Sequence, residues 1–144
     1  MNANITMAFI YNTGHRYLQE RFVTDLGISD EILKTASWWI PITVRGQCDD
    51  EFTRTVTWMS PQETSKVIAG VPRRREWIIL NVGQMAPYRV NYSGSNWRRL
   101  IKQLKNDALR VDTLDRMKML TDAFQLARAG KTNANRTDYY NAGL

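Results

Sequence analysis

The stretch EWIILNVGQMAPYRVNYSGSNWRRLI, Glu76–Ile101, holds two apolar, aromatic runs around a short Gly-Gln-Met-Ala-Pro link, and a pattern of different period follows at once. EWIIL and PYRVNY read as a strand pair, with Gly83 and Pro87 marking the hairpin turn between them. Trp77 and Tyr88, on the strands flanking that turn, are expected to point into a core. From Trp97 onward the period changes. Trp97, Leu100, Ile101 and Leu104 fall at i, i+3, i+4 and i+7, the stripe of an amphipathic helix, with Ser93 or Ser95 as N-cap. The boundary between the two textures lies near residue 93, with almost no linker.

Upstream of that boundary the signals are strand signals. ITMAFIY places Ile5, Met7, Phe9 and Tyr11 on one face, Asn-Thr-Gly supplies a turn, and RYLQERFV puts Leu18 and Phe22 together. These two runs read as a hairpin. WWIPITV (38–44) and TRTVTWMS (53–60) make a second pair, in which Arg54, Val56 and Trp58 alternate with threonines. Pro41 denies its strand one ladder donor and so suits an edge or a bulge. KVIAGV follows, with Gly70 and Pro72 as punctuation. Short antiparallel strands without intervening helices predict a β-sandwich, immunoglobulin-like, over 1–92. The fold class is thus mainly β with C-terminal α.

Downstream, residues 93–144 read as helical. A second helix begins at Thr113, with Asp112 and Asp115 near its positive end and Met117, Leu120, Phe124 and Ala127 as its apolar stripe. Gly130 suits the position just past its end, and Arg128 and Lys131 suit the negative pole. The tail KTNANRTDYYNAGL is polar and turn-rich and closes on a Tyr139-Tyr140 pair.

Composition sets bounds. A chain of 144 residues, 43% hydrophobic and with five Trp and six Tyr, has enough apolar bulk to fill a core. No apolar run is long enough to span a bilayer, and the opening MNANITMAFIYNTG lacks the basic and apolar regions of a signal peptide. A zinc site needs three or four ligands, mostly His and Cys, and this chain has one of each, His15 and Cys48. It has no H-E-x-x-H, no glycine loop for phosphates and no recognisable Ser/His/Asp set. His15 beside a turn glycine reads as solvated. Asp49, Asp50 and Glu51 form an acidic hairpin tip that reads as solvated rather than cation-binding. Arg73, Arg74 and Arg75, beside Trp77, give the strongest basic run behind a net charge of +6. The other basic residues scatter, no nucleic-acid motif accompanies them, and no nucleic-acid partner is expected. No catalytic residue and no metal ligand is assigned. Of the sequons at Asn4, Asn91 and Asn135, Asn91 falls at the end of a core strand, leaving Asn4 and Asn135 as glycosylation candidates.

The opening stretch resembles the junction in zinc aminopeptidases of the aminopeptidase N type, gluzincin metallopeptidases. There a small β-sandwich ends in a pattern like W-x-x-x-N-x-x-Q-x-G-x-Y-R-V-N-Y and runs straight into a helical domain. Trp77, Asn81, Gln84, Tyr88, Arg89, Val90, Asn91 and Tyr92 match, as do Trp97, Leu100 and Ile101 in the following helix. YLQERF (17–22), WWIPITV (38–44) and DRMKMLTDAFQLARAG (115–130) are similar to further family segments in the right order. The resemblance covers residues 5 to 130 and implies that 93–144 form the αα start of a solenoid-like helical domain. Ala86-Pro87 stands where the family has a Gly and an aromatic, and Thr121 stands for a usual aspartate, leaving Asp122 alone.

The resemblance implies a non-catalytic fragment, a truncated product or partial gene model, of an enzyme that removes N-terminal residues from peptides. The zinc of that parent, its H-E-x-x-H and its G-x-M-E-N stretch would precede residue 1, so no cofactor is expected in this chain. Its partners would be the preceding catalytic domain and the remaining helical domain, and the sandwich would link the two over the substrate cavity. Trp77, Asn81, Gln84, Tyr88, Arg89, Asn91 and Tyr92 would form the structural junction. The parent would be a membrane-anchored or extracellular glycoprotein, with a cytoplasmic one as the alternative. Without further helices, Trp97, Leu100, Leu104, Met117, Leu120 and Phe124 should expose an apolar face prone to self-association. The competing reading is a free-standing sandwich that binds a protein partner and has no peptidase activity.

Overall fold

The computed structural model describes residues 7–13, 16–22, 38–49, 55–68 and 75–131. Readings on Ile5, His15, Asp50, Glu51, Arg73, Arg74, Asn4, Asn135 and the Tyr139-Tyr140 pair lie outside the described residues. So do the side-chain faces read for Met7, Phe9, Tyr11, Phe22, Arg54 and Val56.

Strands β1 (Met7–Thr13) and β2 (Arg16–Phe22) pair antiparallel as the hairpin reading expects, with Met7 opposite Phe22 and Thr13 opposite Arg16. β5 (Ser65–Val67) joins the outer side of β2, and β7 (Tyr88–Asn91) joins β1. In the second sheet β3 (Ile40–Gly46) lies between β4 (Thr55–Met59) and β6 (Ile78–Leu80). Tyr17 from β2, Ile40, Ile42 and Val44 from β3, Met59 from β4 and Val90 from β7 meet in a single buried cluster, so the two sheets share one core. Period-two alternation puts Ile40, Ile42 and Val44 on the inner face of β3.

Pro41 sits in a middle strand, which the sequence rule disfavours. Beside Pro41, however, β3 pairs only with β4, because β6 bonds only Val44–Gly46, and the β3–β4 register shifts between Ile42 and Thr43. The missing donor therefore falls on an unpaired side next to a bulge.

Two expectations need correction. The sheets are not wholly antiparallel: β7 runs parallel to β1, with Ala8 opposite Tyr88 and Tyr11 opposite Asn91. Nor do EWIIL and PYRVNY form a strand pair. β6 and β7 belong to different sheets, and the link between them arches from one sheet to the other. β6 is buried at all three positions. With all three side chains in the buried cluster, it reads as a continuous apolar run without alternation.

Helix α1 (Gly94–Asn106) starts at Ser93, whose hydroxyl accepts the amide of Asn96 at 3.3 Å. A single 3-10 turn, Ala108–Arg110, leads to α2 (Thr113–Arg128), where the Asp112 carboxylate caps the amide of Leu114 at 2.9 Å. Gly130, at φ +65°, closes α2 in the left-handed conformation that favours glycine there.

The helices correct the expected exposed face. Trp97 and Leu100 are buried and Leu104 is half-buried, because α1 lies on the sandwich. Met117, Leu120 and Phe124 are exposed, joined by Leu114. The face of α2 that packs inward carries Asp115, Met119, Asp122, Ala123 and Leu126. An apolar stripe read from periodicity points to a surface that seeks a partner, and here the sandwich is not that partner.

Candidate functional site

The arch between β6 and β7 requires backbone that few residues adopt. Asn81 (φ 55°), Gly83 (φ 65°) and Gln84 (φ 57°) are all left-handed. Asn tolerates that region better than most side chains, and this one also holds the arch shut. Its Nδ2 donates to the carbonyls of Ala86 at 2.7 Å and Tyr88 at 3.2 Å, and its Oδ1 accepts the Ala86 amide at 3.0 Å. The Asn81 amide reaches the Thr43 carbonyl at 3.1 Å and the Val82 amide reaches Thr43 Oγ1 at 2.9 Å, so the arch is bonded to β3. Ala86 and Pro87, the departures from the family pattern, sit where Asn81 does this work. The turn is held by a side chain, and Pro87 needs no donor there.

Helix α1 is clamped to β6. Asn96 accepts the Ile78 amide at 2.9 Å and donates to the Ile78 carbonyl at 2.8 Å, both ends of one buried amide serving one residue. Trp77 Nε1 donates to Gln103 at 3.2 Å, and the Tyr92 hydroxyl accepts the Leu80 amide at 3.0 Å. The Tyr92 and Trp97 rings meet edge to face, centroids 5.0 Å apart. Burial pushes the Tyr92 phenol well up, so it stays protonated.

Helix α2 is fastened by two carboxylates. Asp115 Oδ1 accepts the Gly83 amide at 2.8 Å. Two turns later Asp122 accepts the Val90 amide at 3.0 Å, Arg89 at 3.1 Å and Lys118 Nζ. Seven residues place both acids on one helical face, and the strand and the arch supply the amides. Asp115 is fully buried, and that burial raises its carboxyl above the usual range against the opposing pull of the Gly83 amide. Burial lowers the Lys118 ammonium, while Asp122 holds it up. Asn91 Nδ2 donates to the Lys131 carbonyl at 2.5 Å and ties the far end of α2 to β7.

Of the seven residues expected at the junction, Trp77 lies just ahead of β6 and the others lie in the arch, on β7 or in the turn into α1. Trp77, Asn81, Tyr88, Asn91 and Tyr92 are buried; Gln84 is exposed, donating from Nε2 to the Leu114 carbonyl at 3.3 Å. Sequence reasoning missed Asn96, Thr43, Gln103 and Lys118, and it gave Asp115 only a helix-dipole role. A polar residue on the apolar side of a helix was the available signal, at Asn96 beside Trp97 and at Asp122 beside Ala123. A hollow of about 470 Å³ lies between the arch and α2, with Met85 and Pro87 at its mouth and the Arg89–Asp122–Lys118 cluster in its wall.

Among the described residues no group of three His, Cys, Asp or Glu side chains could hold a metal ion. Asp115 accepts one amide through Oδ1, and Asp122 is held by an amide and two cations. Asp49 accepts the Gly46 amide at 2.7 Å. Cys48 is exposed, its thiol raised chiefly by nearby Glu76. The described residues therefore do not fit a zinc centre. Arg75, the described member of the arginine run, is exposed in a turn.

Comparison with known proteins agrees with this geometry. A family model described as the ERAP1-like C-terminal domain matches residues 77–137, from Trp77 through α2. Aminopeptidase N of Plutella xylostella is 36% identical over 117 residues, which is 78% of this chain and 12% of that protein. The thyrotropin-releasing hormone-degrading ectoenzyme of Mus musculus is 34% identical over the same share of this chain and 11% of its own length. Aminopeptidase N of Homo sapiens is 41% identical over 56 residues, 39% of this chain and 6% of that protein. The chain thus spans about an eighth or less of the curated relatives it matches. It belongs to the aminopeptidase N type family.

Proposed function

We propose that this chain is a non-catalytic part of a zinc-dependent aminopeptidase that removes N-terminal residues from peptides. In that parent the sandwich joins the catalytic domain to a helical domain over the substrate cavity. One observation carries the reading: the similarity runs through 78% of the chain, seam included, yet covers only 12% of the relative. The seam supports it, since Asn96, Asp115 and Asp122 fix the first two helices to the strands. Further helices stacked on α2 would then be held at a set angle to the sandwich. The boundary near residue 93 would be a change of texture and not a hinge.

The parent's zinc, its peptide substrates and its other domains belong to this proposal. So does an extracellular or membrane-anchored location, which the word ectoenzyme in the name of the Mus musculus relative supports. Among the described residues no helix is long and apolar enough to cross a membrane. Asn4 and Asn135 remain the proposed glycan acceptors. Asn91 is buried, with its amide nitrogen bonded to Lys131.

The deciding experiment is to read the transcript upstream of residue 1. The expected frame continues into a segment encoding H-E-x-x-H. An in-frame stop before any such segment would favour the free-standing interaction module instead. The purified chain itself should hold no stoichiometric zinc and hydrolyse no aminoacyl anilide. One tightly held zinc per chain, or chelator-sensitive turnover, would contradict this.

A further inference from the structure

Among the described residues the helices close one side of the sandwich, and no helix lies against the other. α1 is bonded to β6 and α2 to β7 and the arch, and β6 and β7 end their respective sheets. The opposite edges are β4 and β5. Trp58 and Val67 there are 52% and 65% exposed, and Trp39, just ahead of β3, is 64% exposed. Pro41 lies directly across from Trp58, while their neighbours Ile40 and Met59 point into the core. Period-two alternation therefore puts Trp39, Pro41 and Trp58 together on the outer face of the three-stranded sheet. Two indoles more than half exposed on one small sheet are large apolar groups turned to water.

The surroundings say how this face is used. Lys66 Nζ donates to the Trp58 carbonyl at 2.7 Å and pairs with Glu63 at 3.0 Å, and Glu63 accepts the Ser60 amide at 2.7 Å. A lysine placed there discourages addition of another strand. What remains is side-chain docking: flat aromatic anchors beside a structured polar rim, the anatomy of an interface centre.

Strand direction says which partner arrives. β1 is parallel to β7, so Met7 lies at the Tyr88 end. Tyr88 follows the arch, and β6 runs antiparallel to β3 from Gly46 toward Val44 before entering that arch, so this is also the end of β3 that Trp39 precedes. The chain leaves α2 at Lys131, bonded to Asn91 at the other end of β7. In a longer parent, polypeptide ahead of β1 reaches the sandwich at the tryptophan end, and later helices leave from the opposite end.

We propose that Trp39, Pro41 and Trp58 form the surface on which the sandwich docks to the preceding, catalytic part of the parent, through an apolar and aromatic-accepting patch on that part. The proposal rests on the fragment reading above and names the partner's contact. It is tested by titrating the purified chain against the zinc-loaded N-terminal portion of the Plutella xylostella aminopeptidase N, made without the segment this chain matches. The wild-type chain should bind. Trp39→Ala with Trp58→Ala should weaken binding by about 30-fold, the size expected for losing central aromatic anchors. Leu120→Ser with Phe124→Ser should change it by no more than about threefold. Both tryptophans are exposed, so the first variant should keep the wild-type unfolding midpoint, which separates lost docking from lost fold. Undiminished binding by the tryptophan variant overturns the proposal, as does no binding by the wild type. A wild-type dimer that the tryptophan variant abolishes also overturns it, assigning the face to a second copy. The upstream frame decides the fragment reading separately. An H-E-x-x-H segment there together with tryptophan-insensitive binding keeps that reading and removes this one.

Discussion

Helix α2 turns two opposite faces to two different surroundings. Toward the sandwich it presents Asp115, Lys118 and Asp122 among Met119, Ala123 and Leu126, all buried. Toward solvent it presents Leu114, Met117, Leu120 and Phe124. A helix at the edge of an isolated globule normally does the reverse, with charge outward and apolar groups inward. The inward face gains its specificity from carboxylates that accept particular backbone amides, which fixes the position of the helix along β7. The outward face is generic apolar area of the kind that packs against another helix. In the proposed parent, the outward face is where a second body of protein, the remaining helices, would pack.

The inward face is broken most severely by Asp122→Ala. That change leaves Lys118 and Arg89 partly or fully buried without their carboxylate and the Val90 amide without an acceptor. A loss of about 3–5 kcal/mol is expected from chemical denaturation. A loss below about 1 kcal/mol would show that the cluster is solvated and the seam loose. Trp77→Ala removes a buried indole and its bond to Gln103 on α1, and about 3–5 kcal/mol is again expected. An unchanged melting temperature would show that Trp77 does not face the core.

Asp115→Asn sharpens the comparison through pH. Burial raises the Asp115 carboxyl, with Asp112 adding to the shift and Arg45 and Lys118 opposing it. Between the usual carboxylate range and that raised value the native chain binds more protons than the unfolded one. The stability contributed by the protonated acid is therefore lost as pH rises through the raised value. Asn keeps an acceptor for Gly83 and carries no charge. Measured against wild type, the variant should gain relative stability as pH climbs from about 4 toward neutral. A difference that stays flat over that range would mean Asp115 is ionised in both states.

The outward face should give the smallest effect on stability. Phe124→Ser with Leu120→Ser is expected to shift unfolding by no more than about 0.5 kcal/mol each, since both side chains are already in water. The same variant should reduce self-association of the chain in sedimentation. If wild type stays monomeric at high concentration and the variant behaves identically, the face is not adhesive. Hydrogen exchange adds a finer reading. With the inward carboxylates in place, amides of α2 should be nearly as protected as those of β6 and β7, and fast exchange confined to α2 would unseat the seam.

The strands and helices were legible because each carries a local signal. Ser93 and Gly130 mark helix ends, and alternation marks β3 and β4. The relation between β6 and β7 was not legible. Two strands joined by a short Gly- and Pro-bearing link read as a hairpin, and only the left-handed Asn81 and Gln84, with the Asn81 and Val82 amides bonded across to Thr43, turn that link into an arch between sheets. The parallel partnership of β1 and β7 joins residues about 80 positions apart and leaves no local trace. The seam was half legible. The residues of the strand side came through a family resemblance, while their partners on the helices, Asn96, Asp115 and Asp122, are polar and vanish from any search for apolar periodicity.

The parallel register of β1 and β7 also has a mechanical meaning. Tension drawn between polypeptide ahead of Met7 and polypeptide beyond Asn91 pulls these two neighbouring strands from opposite ends. The rungs from Ala8–Tyr88 to Tyr11–Asn91 then share the load in shear and do not open one at a time. The bond from Asn91 to Lys131 and the Asp122 grip on Val90 pass force from the end of α2 into the same strand. A parent that opens and closes about this region would rotate its outer domains around a stiff strut, and the bending would have to occur elsewhere.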